Sequence, residues 1–256
     1  MSNLESQSTK TLALLKQRHL EHSEGTSLQD DLHSLSKVNS LIDLTLLNEQ
    51  TTKDAIDNLI EKAIHQNVAA ICVFPSHLCH IPDKITRATV VNFPTGNQPH
   101  NEVMYDIENI MRQNQVDEID YVFPYQLYLA NNKTKALAAC REAYQLCKAN
   151  HLTFKIILET GALPSLDVIY KLSLELIEKG CDFLKTSTGK IDTGATLPAA
   201  FAILAAIREI QAPCGIKVSG GIRTIGQAQQ YIQLAEHVLE LNVDKHSFRI
   251  GTSGLA

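Results

Sequence analysis

Several common features are missing from this 256-residue sequence, and each absence narrows what the chain can be. No two of its six cysteines (Cys72, Cys79, Cys140, Cys147, Cys181, Cys214) have C-x-x-C spacing, so reduced and mostly buried thiols are expected. No uninterrupted apolar stretch approaches the length of a membrane span, and the opening MSNLESQSTK lacks the basic-then-apolar order of a secretory signal. A cytoplasmic location without a membrane partner is the expectation. The net charge of −5 and the lack of like-charge runs give no footprint for nucleic acid. No shift of composition divides the chain, and no G-x-G-x-x-G follows the first expected strand.

What remains is an ordinary globular composition, 44% hydrophobic and 20% charged, long enough to bury a large core without disulfides or structural metals. Short runs rich in Val, Ile and Phe predict strands at 38–44, 68–74, 87–92, 117–123, 153–159, 182–186, 215–219 and 247–251. Helical stretches separate them. In 52–66, Ala55, Ile56, Leu59, Ile60, Ala63 and Ile64 recur at the period of a helix packed on a sheet. The stretches 164–179 and 224–241 repeat that pattern, with Pro164 and Thr224 placed to start them.

Eight strands in βαβ alternation predict a parallel sheet covered by helices, and eight is the number that closes a (β/α)8 TIM barrel. An open doubly wound sheet is the weaker alternative. Residues 1–37 read as an N-terminal helical extension: a helix from Leu4 to Leu20, a polar stretch from His22 to Asp30, and a short helix running into Val38. This extension is expected to cap the N-terminal barrel mouth, with 38–256 forming a single catalytic barrel. A complete barrel would add a helix after strand eight, and the sequence stops short of one. The apolar helix strips serve the barrel and would also suit a homodimer, the expected assembly.

The unusual residues are charges inside strands that should be buried. Glu118 and Asp120 share one face of strand four by the period of two, as do Lys155, Ile157 and Glu159 on strand five. Strand six carries Lys185 and strand seven Lys217. Buried ammonium groups are costly unless paired. A structural ion network is one reading, but such networks stabilise poorly compared with apolar packing. Amine catalysis accounts for the cost better. A lysine attacks a carbonyl only when neutral, and burial with a second cation nearby depresses its pKa from about 10.4. Adjacent strands lie about 4.8 Å apart, so Lys185 and Lys217 can approach closely, with Asp120 nearby as a proton shuttle.

A second grouping suits an anion. Ser187-Thr188-Gly189-Lys190, Ser219-Gly220-Gly221 and Gly251-Thr252-Ser253-Gly254 follow strands six, seven and eight, where barrels frequently bind phosphate.

Phe183-Leu184-Lys185-Thr186-Ser187-Thr188-Gly189 resembles the Schiff-base segment of the deoxyribose-phosphate aldolase family. The likeness continues in Asp120-Tyr121-Val122-Phe123-Pro124-Tyr125, Lys155-Ile156-Ile157-Leu158-Glu159-Thr160-Gly161 and Lys217-Val218-Ser219-Gly220-Gly221-Ile222-Arg223, and extends from about Leu41 to Gly254. The resemblance implies a class I aldolase, a lyase that reversibly cleaves 2-deoxy-D-ribose 5-phosphate to D-glyceraldehyde 3-phosphate and acetaldehyde in deoxyribonucleoside catabolism, with no cofactor and no metal. It implies Lys185 as the Schiff-base lysine, Lys217 as its electrostatic neighbour and Asp120 as the proton relay. Asp43, Cys72, Lys155 and Glu159 would orient substrate, and Gly189, Lys190, Gly220, Gly221, Gly251, Ser253 and Gly254 would hold the phosphate. Two departures stand out: Val218-Ser219 where Pro-Ala is common, placing a hydroxyl near Lys217, and Gly254 in place of a serine.

Three alternatives stay open. A metal-dependent aldolase needs convergent ligands, and the histidines, including His77 and His80, fall mainly in helices and loops. A lysine-dependent aldolase for another phosphosugar would share the same amine. A barrel that only senses a sugar phosphate would need no nucleophile.

Overall fold

The computed structural model describes residues 3–22, 28–113 and 115–255. Strands β1 (Ile42–Leu46), β2 (Ala70–Val73), β3 (Arg87–Val91), β4 (Glu118–Val122), β5 (Thr153–Ile157), β6 (Phe183–Lys185), β7 (Gly215–Ser219) and β8 (Phe248–Thr252) pair in sequence order. Every pairing is parallel, and β8 returns to β1 with Asp43 opposite Gly251. The closed (β/α)8 barrel expected from the eightfold alternation is therefore observed.

The helices are α1 (Asn3–His22), α2 (Leu28–Ser40), α3 (Lys53–Gln66), α4 (His100–Gln113), α5 (Tyr125–Leu129), α6 (Lys133–Ala149), α7 (Leu166–Lys179), α8 (Leu197–Ile210) and α9 (Ile225–Leu239). A 3-10 helix, Pro75–His80, bridges β2 and β3. Local chemistry sets the starts. The Thr52 hydroxyl accepts the Ala55 N–H ahead of α3, and Thr224 and Gln227 form a reciprocal capping box at α9. Pro164 lies two residues before α7, whose N-cap is Ser165, accepting from the Val168 N–H.

The strand period of two divides the barrel wall. Leu44, Ile71, Ile119, Phe154, Ile156, Leu184, Ile216, Val218 and Ile250 belong to one apolar core with helix residues such as Ile56, Leu172 and Ala235. Cys140 and Cys147 lie on the buried side of α6 with Ala136 and Ala143. The inward residues of β2 and β3, Ala70, Cys72, Ala88 and Val90, form a small apolar cluster with Leu47. The inward faces of β1 and β4 to β8 carry the charged side chains, with apolar residues such as Ile157 and Phe183 among them. That division leaves barrel stability to the outer face and frees the inner face for chemistry.

The N-terminal segment departs from expectation. Residues 38–40, predicted to begin the first strand, end α2 instead, because the apolar Val38 is used against helices rather than in the sheet. The polar stretch expected from His22 to Asp30 falls largely in 23–27, outside the described residues; His22 ends α1, and Leu28–Asp30 open α2. The main packing partner of α1 is α8, with α7 and α9 beside it, so it lies against the outer helices rather than over a barrel mouth. The α2 helix packs between α9 and α3, tied by the Lys37–Glu236 ion pair at 2.5 Å and a 2.7 Å bond from Gln229 Nε2 to Ser34 Oγ. That is the place of the helix a barrel carries after its eighth strand.

Val38 is 1% exposed in this seam. Val38→Ala removes two methyl-sized groups worth about 0.8 kcal/mol each, plus a cavity term, and should lower unfolding stability by about 2 kcal/mol. Leu14→Ala, on the exposed side of α1, should change it by less than about 0.5 kcal/mol. Equal denaturant midpoints for the two variants would contradict α2 as a member of the ring.

Candidate active site

Parallel pairing puts Lys185 of β6 opposite Lys217 of β7, and Asp120 of β4 opposite Lys155 of β5. All four point into the lumen, where one carboxylate receives three ammonium groups. Asp120 Oδ2 accepts from Lys185 Nζ at 2.7 Å and from Lys217 Nζ at 2.8 Å, while Oδ1 accepts from Lys155 Nζ at 2.9 Å. Asp43 lies 2.5 Å from Lys217 Nζ, and Glu118 lies 2.5 Å from Lys155 Nζ. Arg249 of β8 donates to both of these carboxylates, to Asp43 at 2.5 Å and to Glu118 at 2.9 Å. Every member of the cluster is buried.

The electrostatics separate the three lysines. Burial pushes each amine towards neutrality. For Lys155 the pull of Asp120, Glu118 and Asp43 overcomes it, and for Lys217 the pull of Asp120 and Asp43 does so; both stay above the usual lysine value. Lys185 touches Asp120 alone. Burial, assisted by the Lys217 cation, holds its pKa below the usual value. Burial would raise Asp120, yet the three lysines hold it well below the ordinary carboxylate range, and Asp43 is likewise lowered by Lys217, Arg249 and Lys155. Burial and the Asp120 charge raise the Cys72 thiol, which favours the neutral form.

A cleft of about 350 Å³ opens above this cluster. Lys185 is on its wall; Asp43, Cys72, Asp120, Lys155 and Lys217 are not among its lining residues. The lining includes Gly189, Lys190, Gly220, Gly221, Arg223, Gly251 and Ser253, whereas Gly254 lies outside it. The Gly254 N–H donates to Thr252 Oγ1 at 3.2 Å. Two further N–H groups expected to face an anion are also engaged: Gly189 donates to Ser187 Oγ and Lys190 to Thr188 Oγ1, each at 3.0 Å. Lys190 Nζ reaches across the cleft to the Leu47 carbonyl at 2.7 Å.

Glu159 does not join the lysines. It sits at φ 55° just past β5, accepting from Ser187 Oγ at 2.7 Å, from the Thr188 N–H at 3.2 Å and from the Thr188 hydroxyl, so it shapes the loop after Lys185. Ser219 does not aim its hydroxyl at Lys217 either; Oγ donates to the Ser187 carbonyl at 2.5 Å, joining the loops after β6 and β7. Gly251 is required by contact: a Cβ there would stand 2.9 Å from Ser219 Cβ and 3.1 Å from Lys217 Cε.

Arg249 and Glu118 are the cluster members that sequence reasoning left off the site. The signal for Arg249 was present, a cation between Phe248 and Ile250 in an expected strand. Among the described residues no group of three or more His, Cys, Asp or Glu side chains is arranged to hold a metal ion, and His77 and His80 sit on the 3-10 helix after β2.

The model of the DeoC/LacD family of aldolases matches residues 37–246. The chain belongs to that family. As an aldolase it is a lyase. This DeoC/LacD member is 39% identical over 228 residues to the deoxyribose-phosphate aldolase of Agrobacterium fabrum, covering 84% of this chain and 86% of that protein. Among solved structures, the tetrameric deoxyribose phosphate aldolase of Aeropyrum pernix superposes with a TM-score of 0.72 at 22% identity, covering 89% of this chain and 94% of that one, a likeness of fold. The aldolase QR15 gives a TM-score of 0.73 at 26% identity, covering 84% of this chain and 91% of that one.

Depressed carboxylates carry a pH signature. Asp43 and Asp120 favour the folded state above their unfolded pKa of about 3.9, and that stabilisation is lost as pH falls through the lower folded values. Denaturant midpoints measured from neutral pH downward should therefore fall steadily below about pH 4. A flat profile there would mean that the two carboxylates are not held by the lysines.

Proposed function

We propose that this aldolase reversibly cleaves 2-deoxy-D-ribose 5-phosphate to D-glyceraldehyde 3-phosphate and acetaldehyde through a Schiff base on Lys185, within deoxyribonucleoside catabolism. The observation that carries the proposal is that, among the described residues, Lys185 alone of the buried cations both lines the cleft and has its pKa lowered. The curated relative named a deoxyribose-phosphate aldolase supports the substrate.

Neutral Lys185 attacks the aldehyde carbon C1 of the open-chain sugar. Asp120, 2.7 Å from the amine, takes and returns protons as the carbinolamine loses water to give an iminium. Proton removal from the C3 hydroxyl then breaks the C2–C3 bond, and its electron pair moves into the iminium as an enamine. Glyceraldehyde phosphate departs. Protonation of the enamine at C2 and hydrolysis release acetaldehyde and restore the amine. Lys217 keeps its proton, because Asp43 and Asp120 both hold it, and supplies a fixed cation beside the iminium-forming nitrogen. Covalent catalysis divides one difficult step into several easier ones.

The phosphate would lie at the far end of the cleft, beside Lys190, Gly220, Gly221, Gly251 and Ser253, with Arg223 at the rim. Gly221, at φ +84° with nothing within 4 Å of where a Cβ would stand, leaves room for an anion to approach the backbone.

Borohydride reduction in the presence of acetaldehyde, followed by peptide mapping, is the direct test. Ethylated Lys185 is expected, with cleavage of deoxyribose phosphate retained in excess chelator. Lys185→Met should lower kcat by at least about 10³-fold, since among the described residues Lys185 is the buried lysine on the cleft wall, and Lys190, which also lines it, is exposed and bonded to the Leu47 carbonyl. Label confined to Lys217, or loss of activity in chelator, would overturn these roles.

A further inference from the structure

The buried cluster has a charge balance that the role of Lys185 does not by itself require. Seven charged groups face one another in the lumen: Asp43 from β1, Glu118 and Asp120 from β4, Lys155 from β5, Lys185 from β6, Lys217 from β7 and Arg249 from β8. From β2 comes the Cys72 thiol, and β3 contributes only the apolar Ala88 and Val90. Glu159, beyond β5, is engaged with Ser187 and Thr188. With every group in its ordinary charge state, four cations face three carboxylates.

We propose that Arg249 is a positioning residue for the reactive amine: by adding a cation that cannot be discharged, it gives the cluster a surplus positive charge that is relieved when Lys185 releases a proton to the cleft. The inference rests on the Schiff-base reading of Lys185.

Three observations support it. A guanidinium keeps its proton under all ordinary conditions, so the surplus must be relieved at a lysine. The lysines are not equally able to relieve it. Lys155 lies within ion-pair distance of three carboxylates, Asp43 at 3.7 Å, Glu118 at 2.5 Å and Asp120 at 2.9 Å. Lys217 has two, Asp43 at 2.5 Å and Asp120 at 2.8 Å, whereas Lys185 has Asp120 alone, at 2.7 Å, and lies on the cleft wall. Finally, Arg249 is fixed from several sides. Its Nε donates to the Lys245 carbonyl, its two terminal nitrogens reach Asp43 and Glu118, and its guanidinium carbon lies 5.7 Å from the centre of the Phe183 ring. Such a clamp holds Asp43 against Lys217 and Glu118 against Lys155, so those two lysines keep their protons.

The sign of the effect follows from the amine. Attack requires neutral Lys185, so the rate of adduct formation rises with pH through its pKa. Removing the Arg249 charge makes the Lys185 ammonium easier to keep and moves that rise to higher pH. Removing the Glu118 charge does the reverse.

The test is the pH dependence of adduct formation at Lys185, trapped with acetaldehyde and cyanoborohydride and read by intact mass. Wild type, Arg249→Met, Arg249→Lys, Glu118→Gln and the Arg249→Met/Glu118→Gln double variant are compared. Arg249→Met should move the acidic midpoint up by about one pH unit, Glu118→Gln should move it down, and the double variant should return close to wild type. Arg249→Lys should restore most of the wild-type midpoint. If Arg249→Met does not fold, the downward shift in Glu118→Gln and the near-normal midpoint of Arg249→Lys carry the test. Midpoints that stay at the wild-type value while rates fall at every pH would overturn the proposal and leave Arg249 a structural group. Absence of any Lys185 adduct in the wild-type protein would instead overturn the Schiff-base reading, and this inference with it.

Discussion

The lumen of this barrel is organised around one carboxylate. Asp120 accepts from three lysines on three different strands, so the positions of β4, β5, β6 and β7 are tied through two oxygen atoms. An ion cluster so deeply buried is a poor way to gain stability, because the desolvation cost is of the same order as the attraction it recovers. The apolar outer face of the same strands offsets that cost through its packing on the helices. The two faces of each strand thus have separate tasks, and the alternation of side chains along a strand is what allows it.

Within the cluster, the number of carboxylates around each lysine decides its character. Several carboxylates favour the charged forms of Lys155 and Lys217, and these in turn favour the ionised form of Asp120 at rest. Lys185 shares its one partner with both of them and sits where the lumen opens. Chemically identical side chains a few ångströms apart therefore differ in how firmly each holds its proton, according to the carboxylates around it.

Much of this was legible in the sequence. Charges at alternate positions in otherwise apolar runs marked Asp120, Lys155, Lys185 and Lys217 as inward-facing, and the eightfold βα alternation indicated closure. Arg249 stood in the same kind of pattern, but its partners, Asp43 and Glu118, come from strands distant in sequence, and a closed sheet is needed to bring β8 beside β1. Glu159 was grouped with Lys155 because strand periodicity was carried past Ile157; the chain turns into the left-handed region at Glu159 and sends the carboxylate to the next loop. The start of the first strand was misread because Val38 and Leu41 are apolar whether they serve a sheet or a helix seam. Periodicity reports burial, not the identity of the neighbour.

The position of α2 has a bearing on how the chain reaches its folded state. It is synthesised well before the helix it packs against on one side, α9, with Lys37 and Glu236 separated by 199 positions. Until α9 emerges, the apolar surface around Val38 has only part of its cover. Sealing the barrel is thus a late, long-range event, slowed by the entropy of bringing distant segments together. Nascent chains of this protein would be most exposed to misassembly while that seam is still open.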